Sequence, residues 1–321
     1  MISNSNMSLE PDSIKWLVSR FKDNVKFDEP MARHTYFKVG GPADAFIAPE
    51  SIEDLTQIVI WTQQTGIALL IIGGGTNLLV RDDGIRGIVL VLARCSKKIS
   101  KKVDQNQEVI IAAPAGKKLH DLCSFAIKNG LGGMNFAMGI PGTVGGAITM
   151  NAGTSLGSTG DVLEDVLIMH PDGKTKRINR REIDFSYRNI SFGKEIKTDQ
   201  GRPIILEGSF RLYPVDASIL KEEAEEILKV RRKKQPVNFP SAGSFFKNPG
   251  QGKAAGRLIE QAGLKGKKIG GAQVSEKHAN FIVNTGGASA SDILELMAFI
   301  QKTVFNTFNI ELEPEVKIVG S

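Results

Sequence analysis

The sequence predicts an α+β fold in two units, and three observations carry that prediction. Short apolar runs of strand length outnumber segments with helical periodicity. Two glycine-rich runs each follow an apolar stretch: Ile71-Ile72-Gly73-Gly74-Gly75-Thr76-Asn77-Leu78-Leu79, and Gly139-Ile140-Pro141-Gly142-Thr143-Val144-Gly145-Gly146-Ala147, which runs on to Met150-Asn151-Ala152-Gly153. Composition shifts at Pro214, where a long charged helix opens. The 321 residues suffice for two domains, and 41% hydrophobic with 24% charged residues is the balance of a globular chain with real cores.

In chain order, Ile14, Leu17, Val18 and Phe21 fall on one face of a helix over 12–23. Ala45-Phe46-Ile47 reads as a strand. Ser51, with Asp54 three residues on, caps a helix running through Trp61 and Thr62. Ala68 to Ile72 is a buried apolar strand that delivers the chain into the first glycine run. Ile88 to Leu92 and Val109 to Ala112 are further strands, and a helix over 117–129 ends at Asn129-Gly130. Pro171-Asp172-Gly173 turns a hairpin between Val166–Met169 and Lys176–Ile178. Ile204 to Leu212 is another strand. Beyond Pro214 come a charged helix over 216–234, an irregular connector with Gln235-Pro236 and Phe239-Pro240, and a short extended Ser244-Phe245-Phe246. A helix over 253–262, a strand from His278 to Val283, an amphipathic helix over 290–308 and a terminal strand from Pro314 complete the chain. The first domain is expected over 12–213 and the second over 214–303, with the strand in 313–321 returning to the first domain or to the cleft.

Charge and composition narrow the function. The net charge is +6, without long basic tracts. The densest cluster, Arg231-Arg232-Lys233-Lys234, closes a helix that begins with Glu222, Glu223, Glu225 and Glu226, so charge and helix dipole agree and a solvated helix end is expected. Aromatics do not alternate with the basic residues, so no nucleic-acid platform is expected; a mild positive excess suits a small polyanion. No apolar run approaches membrane-spanning length, and Met1–Ser8 reads as a short disordered lead rather than a secretion signal. Cys95 and Cys123 read as buried thiols. His34, His120, His170 and His278 lack ligand spacing, so no metal is expected.

The glycine runs can bring bare N–H groups close to a bulky anion. Neither supplies the lysine of a nucleotide-triphosphate loop, and neither is a GxGxxG opening a long helix. Thr76, Asn77 and Thr143 can add side-chain hydrogen bonds. Two such runs on one ligand suggest a large phosphate-bearing cofactor.

The GGGTNLLV loop and the GIPGTVGGAITMNAG run resemble the flavin-binding signature of UDP-N-acetylenolpyruvoylglucosamine reductases, the MurB family. The resemblance covers nearly the whole chain. It includes His34-Thr35 with Val39-Gly40-Gly41-Pro42-Ala43, Tyr187-Arg188, Gly243-Ser244-Phe245-Phe246-Lys247-Asn248-Pro249, the run from Ala255 to Gly266, His278-Ala279-Asn280-Phe281-Ile282-Val283-Asn284, and Leu312-Glu313-Pro314-Glu315-Val316. It implies a vanillyl-alcohol-oxidase-type (PCMH-like) FAD-binding domain of two lobes plus a smaller α+β substrate-binding domain. It also implies reduction of the enolpyruvyl ether of UDP-N-acetylglucosamine to UDP-N-acetylmuramate with NADPH, for peptidoglycan synthesis, by a cytoplasmic enzyme expected to be a monomer.

By this resemblance, Gly73, Gly74, Gly75, Thr76, Asn77, Gly139, Ile140, Pro141, Gly142, Thr143, Gly145, Gly146, Asn151, Ala152 and Gly153 would line the FAD site. The glycine runs hold neither His nor Cys, so FAD is expected to be held noncovalently. The implied catalytic residues are Arg188, Ser244 and Glu315. Arg188 would stabilise charge growing on the substrate carboxylate, Glu315 would polarise it as the neutral acid, and Ser244 would protonate carbon. Tyr187, Lys247, Asn248, Arg257 and Gln273, with Lys265, are the implied substrate contacts. Where the family has Tyr-Arg-x-Ser-x-Phe, this chain has Ile190 at the hydroxyl position, and Ser191 is the neighbour able to replace that contact to Arg188. Tyrosines occur only at 36, 187 and 213, which resembles the shorter type without a tyrosine-bearing lid. The rival readings are another flavin oxidoreductase of this fold acting on an alcohol or lactone, and a non-enzymatic nucleotide-sugar-binding protein.

Overall fold

The computed structural model describes residues 9–95, 98–103, 108–193, 203–250 and 252–321, so the Met1–Ser8 lead lies outside the described residues. The chain opens with α1 (Pro11–Phe21), which has proline in its first turn. Of the four apolar residues expected on its inner face, Leu17 and Phe21 are buried but Ile14 and Val18 are exposed. The buried face is turned instead toward Trp16, which stacks on Trp61 at 4.2 Å.

The first sheet is built from β1 (Val25–Pro30), β2 (Pro42–Ile47), β3 (Leu69–Ile72) and β5 (Ile85–Val91), in the order β1-β2-β5-β3. Between β2 and β3 lies α2 (Ile52–Thr65), whose N-terminus is capped by Ser51 Oγ accepting from Asp54 N at 3.0 Å. The short β4 (Leu78–Val80) follows the first glycine run. Residues alternate between two cores, as a pleat demands: Ala45, Ile47, Ile88 and Leu90 enter the main core, while Phe46, Val89, Met31 and Val80 form a smaller one on the opposite face. β3 was expected to be buried, but it is the edge strand and only Ile72 is fully covered.

The second sheet is antiparallel. Its members are β6 (Ser100–Val103), β7 (Val109–Pro114), β11 (Leu163–Met169), β12 (Thr175–Asn179) and β15 (Ile204–Pro214), in the order β12-β11-β15-β7-β6, with β8 (Leu131–Gly132) on the end of β15. The Pro171–Gly173 hairpin forms as the turn chemistry requires, with Val166 opposite Ile178. Around this sheet lie α3 (Leu119–Lys128), α4 (Val144–Thr149), the pair β9 (Gly153–Thr154) and β10 (Gly157–Ser158), α5 (Thr159–Val162), and a hairpin of β13 (Ile183–Ser186) and β14 (Asn189–Phe192). The second glycine run is therefore loop only as far as Thr143, whose hydroxyl accepts from Gly146 N and starts α4. Both sheets share one continuous core.

The charged helix forms as α6 (Ala217–Lys234), capped by Asp216. It buries Leu220 and Ala224, packs on α3 and β8, and contributes Ala224 to the main core. Composition placed it in the second unit because its exposed faces are charged. Ala224 joins the main core, whereas the later residues that pack in the separate core begin at Ala242.

A separate core gathers α7 (Ala255–Gln261), a sheet of β16 (Lys268–Ile269), β17 (Ala272–Val274) and β18 (Ile282–Asn284), and α8 (Ala290–Phe308). α8 has the expected bounds: Ser289 and Asp292 form a capping box, Asn309 ends the helix in a left-handed conformation, and Ile293, Leu296, Ile300 and Val304 make the buried stripe. The strand expected from His278 begins only at Ile282, because Phe281 N closes a turn on His278 O at 2.9 Å. Phe37, Val39 and Leu79 reach into this core from the first half of the chain, and Leu312 and Val316 from the C-terminus. The terminal strand, β19 (Lys317–Val319), is shorter than expected and pairs in parallel with β4. No described helix is long and apolar enough to cross a membrane.

Candidate functional site

The two glycine runs meet. Thr76 Oγ1 donates to Pro141 O at 3.3 Å. A Cβ on Gly73 would sit 2.4 Å from Thr143 Oγ1, and one on Gly74 would sit 3.3 Å from Gly142 Cα. Glycine is needed here so that two backbones can pass in contact. Gly75 is constrained further: its φ is +62° and a Cβ would lie 1.9 Å from His34 O, part of the segment behind it.

Among the described residues, the N–H groups of Gly74, Gly75, Thr76 and Gly142 have no protein acceptor, and Gly75 is buried. A buried donor without an acceptor is rare, and successive bare N–H groups make an anion-binding concavity. These residues fit a cofactor bearing a diphosphate, which would supply acceptors to them. Not every residue of the runs points outward, however. Gly145 N donates inward to Ala115 O at 2.9 Å. Asn77 Nδ2 donates to Glu315 O at 3.1 Å rather than extending the cradle. Asn151 accepts from Gly160 N at 2.9 Å and donates to Ser186 O at 3.2 Å, tying the second run to the β13–β14 hairpin.

That hairpin carries Arg188. Ser186 pairs with Asn189, leaving Tyr187-Arg188 as a two-residue turn with Arg188 at φ +58°. A side chain in this left-handed region costs on the order of 1–2 kcal/mol, and surrounding contacts must hold it there. Arg188 Nε donates to Glu315 Oε1 at 2.7 Å, Arg188 Nη1 donates to Gly153 O at 3.2 Å, and the guanidinium lies 5.1 Å from the Tyr187 ring centre. Ser191 does not replace the family hydroxyl: its Oγ is turned to Asp184 at 3.5 Å, and Ile190 packs against the main core.

Glu315 is nearly enclosed, with 13% of its side chain exposed. Burial pushes its carboxyl above the usual range, against the opposing pull of Arg188, Lys247 and Lys317. Its main chain is fixed on both sides. Glu315 N donates to Phe245 O at 2.8 Å, and Glu315 O receives Asn77.

Ser244 stands immediately before Phe245, after a Gly243 at φ +79°. Phe245 and Phe246 are fully buried, each contributing about 1.5–3 kcal/mol by leaving water. The buried Asn280 clamps the same segment: Phe245 N donates to Asn280 O at 2.7 Å, Phe246 N donates to Asn280 Oδ1 at 3.0 Å, and Asn280 Nδ2 donates to Phe246 O at 2.8 Å. The Ser244 hydroxyl has no protein partner among the described residues. Three segments distant in sequence thus meet at Glu315.

The other expected contacts divide. The Tyr187 ring is half exposed beside Arg188. Lys247 pairs with Glu313 through Nζ and Oε1 and adds positive charge near Glu315. Asn248 Oδ1 accepts from Ala255 N at 3.0 Å, supporting the start of α7; Gln273 Nε2 donates to Gly266 O at 3.2 Å; Lys265 pairs with Glu260 at 2.6 Å. Arg257 is exposed on α7. Nor is the basic end of α6 wholly solvated: a Cβ on Gly139 would sit 2.8 Å from Arg231 Nε, and burial lowers the pKa of that arginine.

Two residues that sequence reasoning left unassigned support the site. Asn280 lay within a recognised motif without a role. Asp82, just beyond β4, accepts from Ala290 N at 2.7 Å, Ser291 N at 2.8 Å and Ser291 Oγ at 2.7 Å, clamping the start of α8 to the first half of the chain. Its partners lie about 200 positions away, so no local pattern announces it. Cys123 is buried as expected but Cys95 is only partly covered, and desolvation raises the thiol pKa values to about 12 and about 11. Among the described residues no three His, Cys, Asp or Glu side chains converge.

Two family models match the chain. Residues 43–179 match the FAD binding domain family, and residues 235–319 match the family described as UDP-N-acetylenolpyruvoylglucosamine reductase, C-terminal domain. The second match begins where α6 ends. The chain is 47% identical over 306 residues to the UDP-N-acetylenolpyruvoylglucosamine reductase of Desulfosudis oleivorans, covering 95% of this chain and 98% of that one. It is 43% identical over 311 residues to the protein of the same name from Clostridium botulinum strain 657, covering 95% and 97%. The crystal structure of the corresponding reductase from Thermus caldophilus superposes with a TM-score of 0.74 at 32% identity, over 91% of this chain and 97% of that one.

Proposed function

The chain belongs to the UDP-N-acetylenolpyruvoylglucosamine reductase family, and from that premise we propose that Arg188, Ser244 and Glu315 reduce the enolpyruvyl ether of UDP-N-acetylglucosamine to UDP-N-acetylmuramate. The glycine runs would hold FAD, which would supply the hydride-transfer chemistry between NADPH and the enolpyruvyl double bond. The contact that carries the reading is the 2.7 Å pair between Arg188 and Glu315, held beside the Ser244 segment.

An enolpyruvyl group that accepts hydride at its terminal carbon builds negative charge on its carboxylate. Arg188 supplies a charge that persists at any working pH, on a guanidinium oriented by Glu315 and Gly153 O. Glu315, with its pKa raised by burial, can meet that carboxylate as the neutral acid and donate a hydrogen bond where a carboxylate would repel it. Ser244 then hands its hydroxyl proton to the carbon bearing the ether oxygen. Alcohols are weak acids, but the electron-rich carbon is strongly basic and Phe245 and Phe246 fix the donor. Tyr187 lies beside Arg188 and Lys247 adds charge near Glu315, and both would contact the substrate. Asn248 and Gln273 would serve chiefly by shaping the loops around it.

For the cofactor, Gly73–Thr76 with Gly139–Thr143 would hold the diphosphate, noncovalently. The enzyme would act as a monomer, in the cytoplasm.

The deciding experiment is spectroscopic. The purified protein should be yellow, NADPH should bleach it, and colour should return when the enolpyruvyl nucleotide is added without oxygen. Return only with oxygen, after bleaching by an alcohol, would favour an oxidase. Protein gently prepared and colourless, with no affinity for added FAD, would favour a binding protein.

A further inference from the structure

We infer that Asn77 is a positioning residue for Glu315: the amide at the end of the first glycine run sets the main chain from which the acid projects. The inference rests on the proposed role of Glu315.

Asn77 makes two contacts to the C-terminal segment. Its main-chain carbonyl accepts from Lys317 N at 3.0 Å, the first rung of the parallel β4–β19 ladder. The ladder then stops, because residues 73–76 turn away toward the second glycine run. The Asn77 side chain takes over at that point: Nδ2 donates to Glu315 O at 3.1 Å and lies 3.8 Å from Met150 Sδ. A side-chain amide thus replaces the backbone donor that a continuing strand would have provided. Glu315 N is held from the opposite side by Phe245 O at 2.8 Å. Among the described residues, Asn77 is the sole donor to Glu315 O.

The residue type follows from this geometry. Aspartate has no N–H to donate, serine is too short, and glutamine overreaches by a methylene. The site is partly enclosed, so removing the donor leaves a carbonyl without its partner and lets the Glu315 backbone drift. A shift of about 1 Å can cost on the order of a hundredfold in rate. Asn77 lies inside a run otherwise suited to cofactor binding, yet its side chain serves the acid.

The test compares Asn77→Ala and Asn77→Asp with Glu315→Gln. Four quantities are measured: FAD affinity of stripped protein by flavin fluorescence, hydrogen exchange of the 312–319 peptide, the rate of bleaching by NADPH, and the rate of colour return with the enolpyruvyl nucleotide across pH. For Asn77→Ala we expect FAD affinity within about threefold, faster exchange around residues 315–317, and colour return slowed by about ten- to a hundredfold. The alkaline limb of its pH profile, where the neutral acid is lost, should move down toward the ordinary glutamate value as Glu315 gains water. Asn77→Asp, nearly isosteric but without the donor, should likewise speed exchange at 315–317 and slow colour return, and serves if the alanine variant does not fold. Loss of FAD affinity in step with activity, equal slowing of both half-reactions, or unchanged exchange at 315–317 would each overturn the inference. A Glu315→Gln variant with normal colour return would instead overturn the role of Glu315 on which the inference rests.

Discussion

Arg188 Nε lies 2.7 Å from Glu315 Oε1 across 127 positions of sequence, and the two residues reach each other from opposite structural settings. Arg188 comes off a hairpin turn in a left-handed conformation, while Glu315 is clamped between Asn77 and Phe245. Arg188→Lys keeps the charge but loses the planar fork that serves Glu315 and Gly153 O together. Colour return with the enolpyruvyl nucleotide should slow by roughly a hundredfold or more, with bleaching by NADPH little changed. Stopped-flow absorbance of the two half-reactions checks this, and an equal loss in both would place Arg188 elsewhere in the chemistry.

The raised pKa of Glu315 has a consequence for stability. A group whose pKa is higher folded than unfolded contributes stability that is present below the unfolded value and lost as pH rises through the folded one. Wild type should therefore lose stability relative to Glu315→Gln from about pH 4.3 upward, until Glu315 is fully ionised. Urea titrations of both proteins at several pH values between 4 and 8 measure the difference. Parallel curves would mean that Arg188 fully offsets the burial.

Ser244→Ala removes one oxygen from a segment fixed by Phe245, Phe246 and Asn280. The fold should be unaffected, flavin bleaching by NADPH should persist, and colour return should fall by about two to four orders of magnitude, the usual scale for loss of a positioned acid. If deuterium from solvent still enters the product at the wild-type rate, Ser244 is not the proton donor.

Gly142→Val tests the cofactor cradle. Gly142 has φ +126°, and a Cβ there would lie 3.0 Å from Thr76 Oγ1. A β-branched residue is both strained and obstructive at the point where the two runs meet. The variant should purify without bound FAD while keeping a wild-type circular dichroism spectrum. Full flavin occupancy would contradict the placement of FAD between the runs.

Asp82 ties the loop after β4 to the start of α8. Burial opposes its charge, but the Ser291 hydroxyl and the N–H groups of Ala290 and Ser291 outweigh burial and lower its pKa. Such a group stabilises above its unfolded pKa and loses that contribution as pH falls through the lower folded value. Asp82→Asn should cost about 1 kcal/mol at pH 7, as for a helix cap. The difference from wild type should shrink as pH falls below about 4. A cost that stayed constant down to pH 2.5 in urea melts would rule out the carboxylate as its source.

Much of the molecule was legible from local pattern. The Ser289–Asp292 capping box and the Ile293, Leu296, Ile300, Val304 stripe mark α8, and Pro171-Asp172-Gly173 marks its hairpin, because capping and turn chemistry act over a few residues. The glycine runs announced themselves for the same reason. Side-chain partners across the fold did not. Asn77 and Asn151 stand within cofactor-like runs, yet their amides brace Glu315 and the Arg188 hairpin. The charges of α6 dominate its sequence, and no local pattern announced that Ala224 packs into the main core.

By itself, the sequence determined an α+β chain with two backbone cradles, and by resemblance it named Arg188, Ser244 and Glu315. Only the tertiary structure decided how those residues are held: the pairing of Arg188 with Glu315, the Asn280 clamp beside Ser244, the Asp82 link to α8 and the Asn77 brace. Periodicity and capping are set by neighbours a few positions away. A hydrogen bond spanning 238 residues, as between Asn77 and Glu315, depends on how whole sheets and cores pack, and no local pattern encodes that.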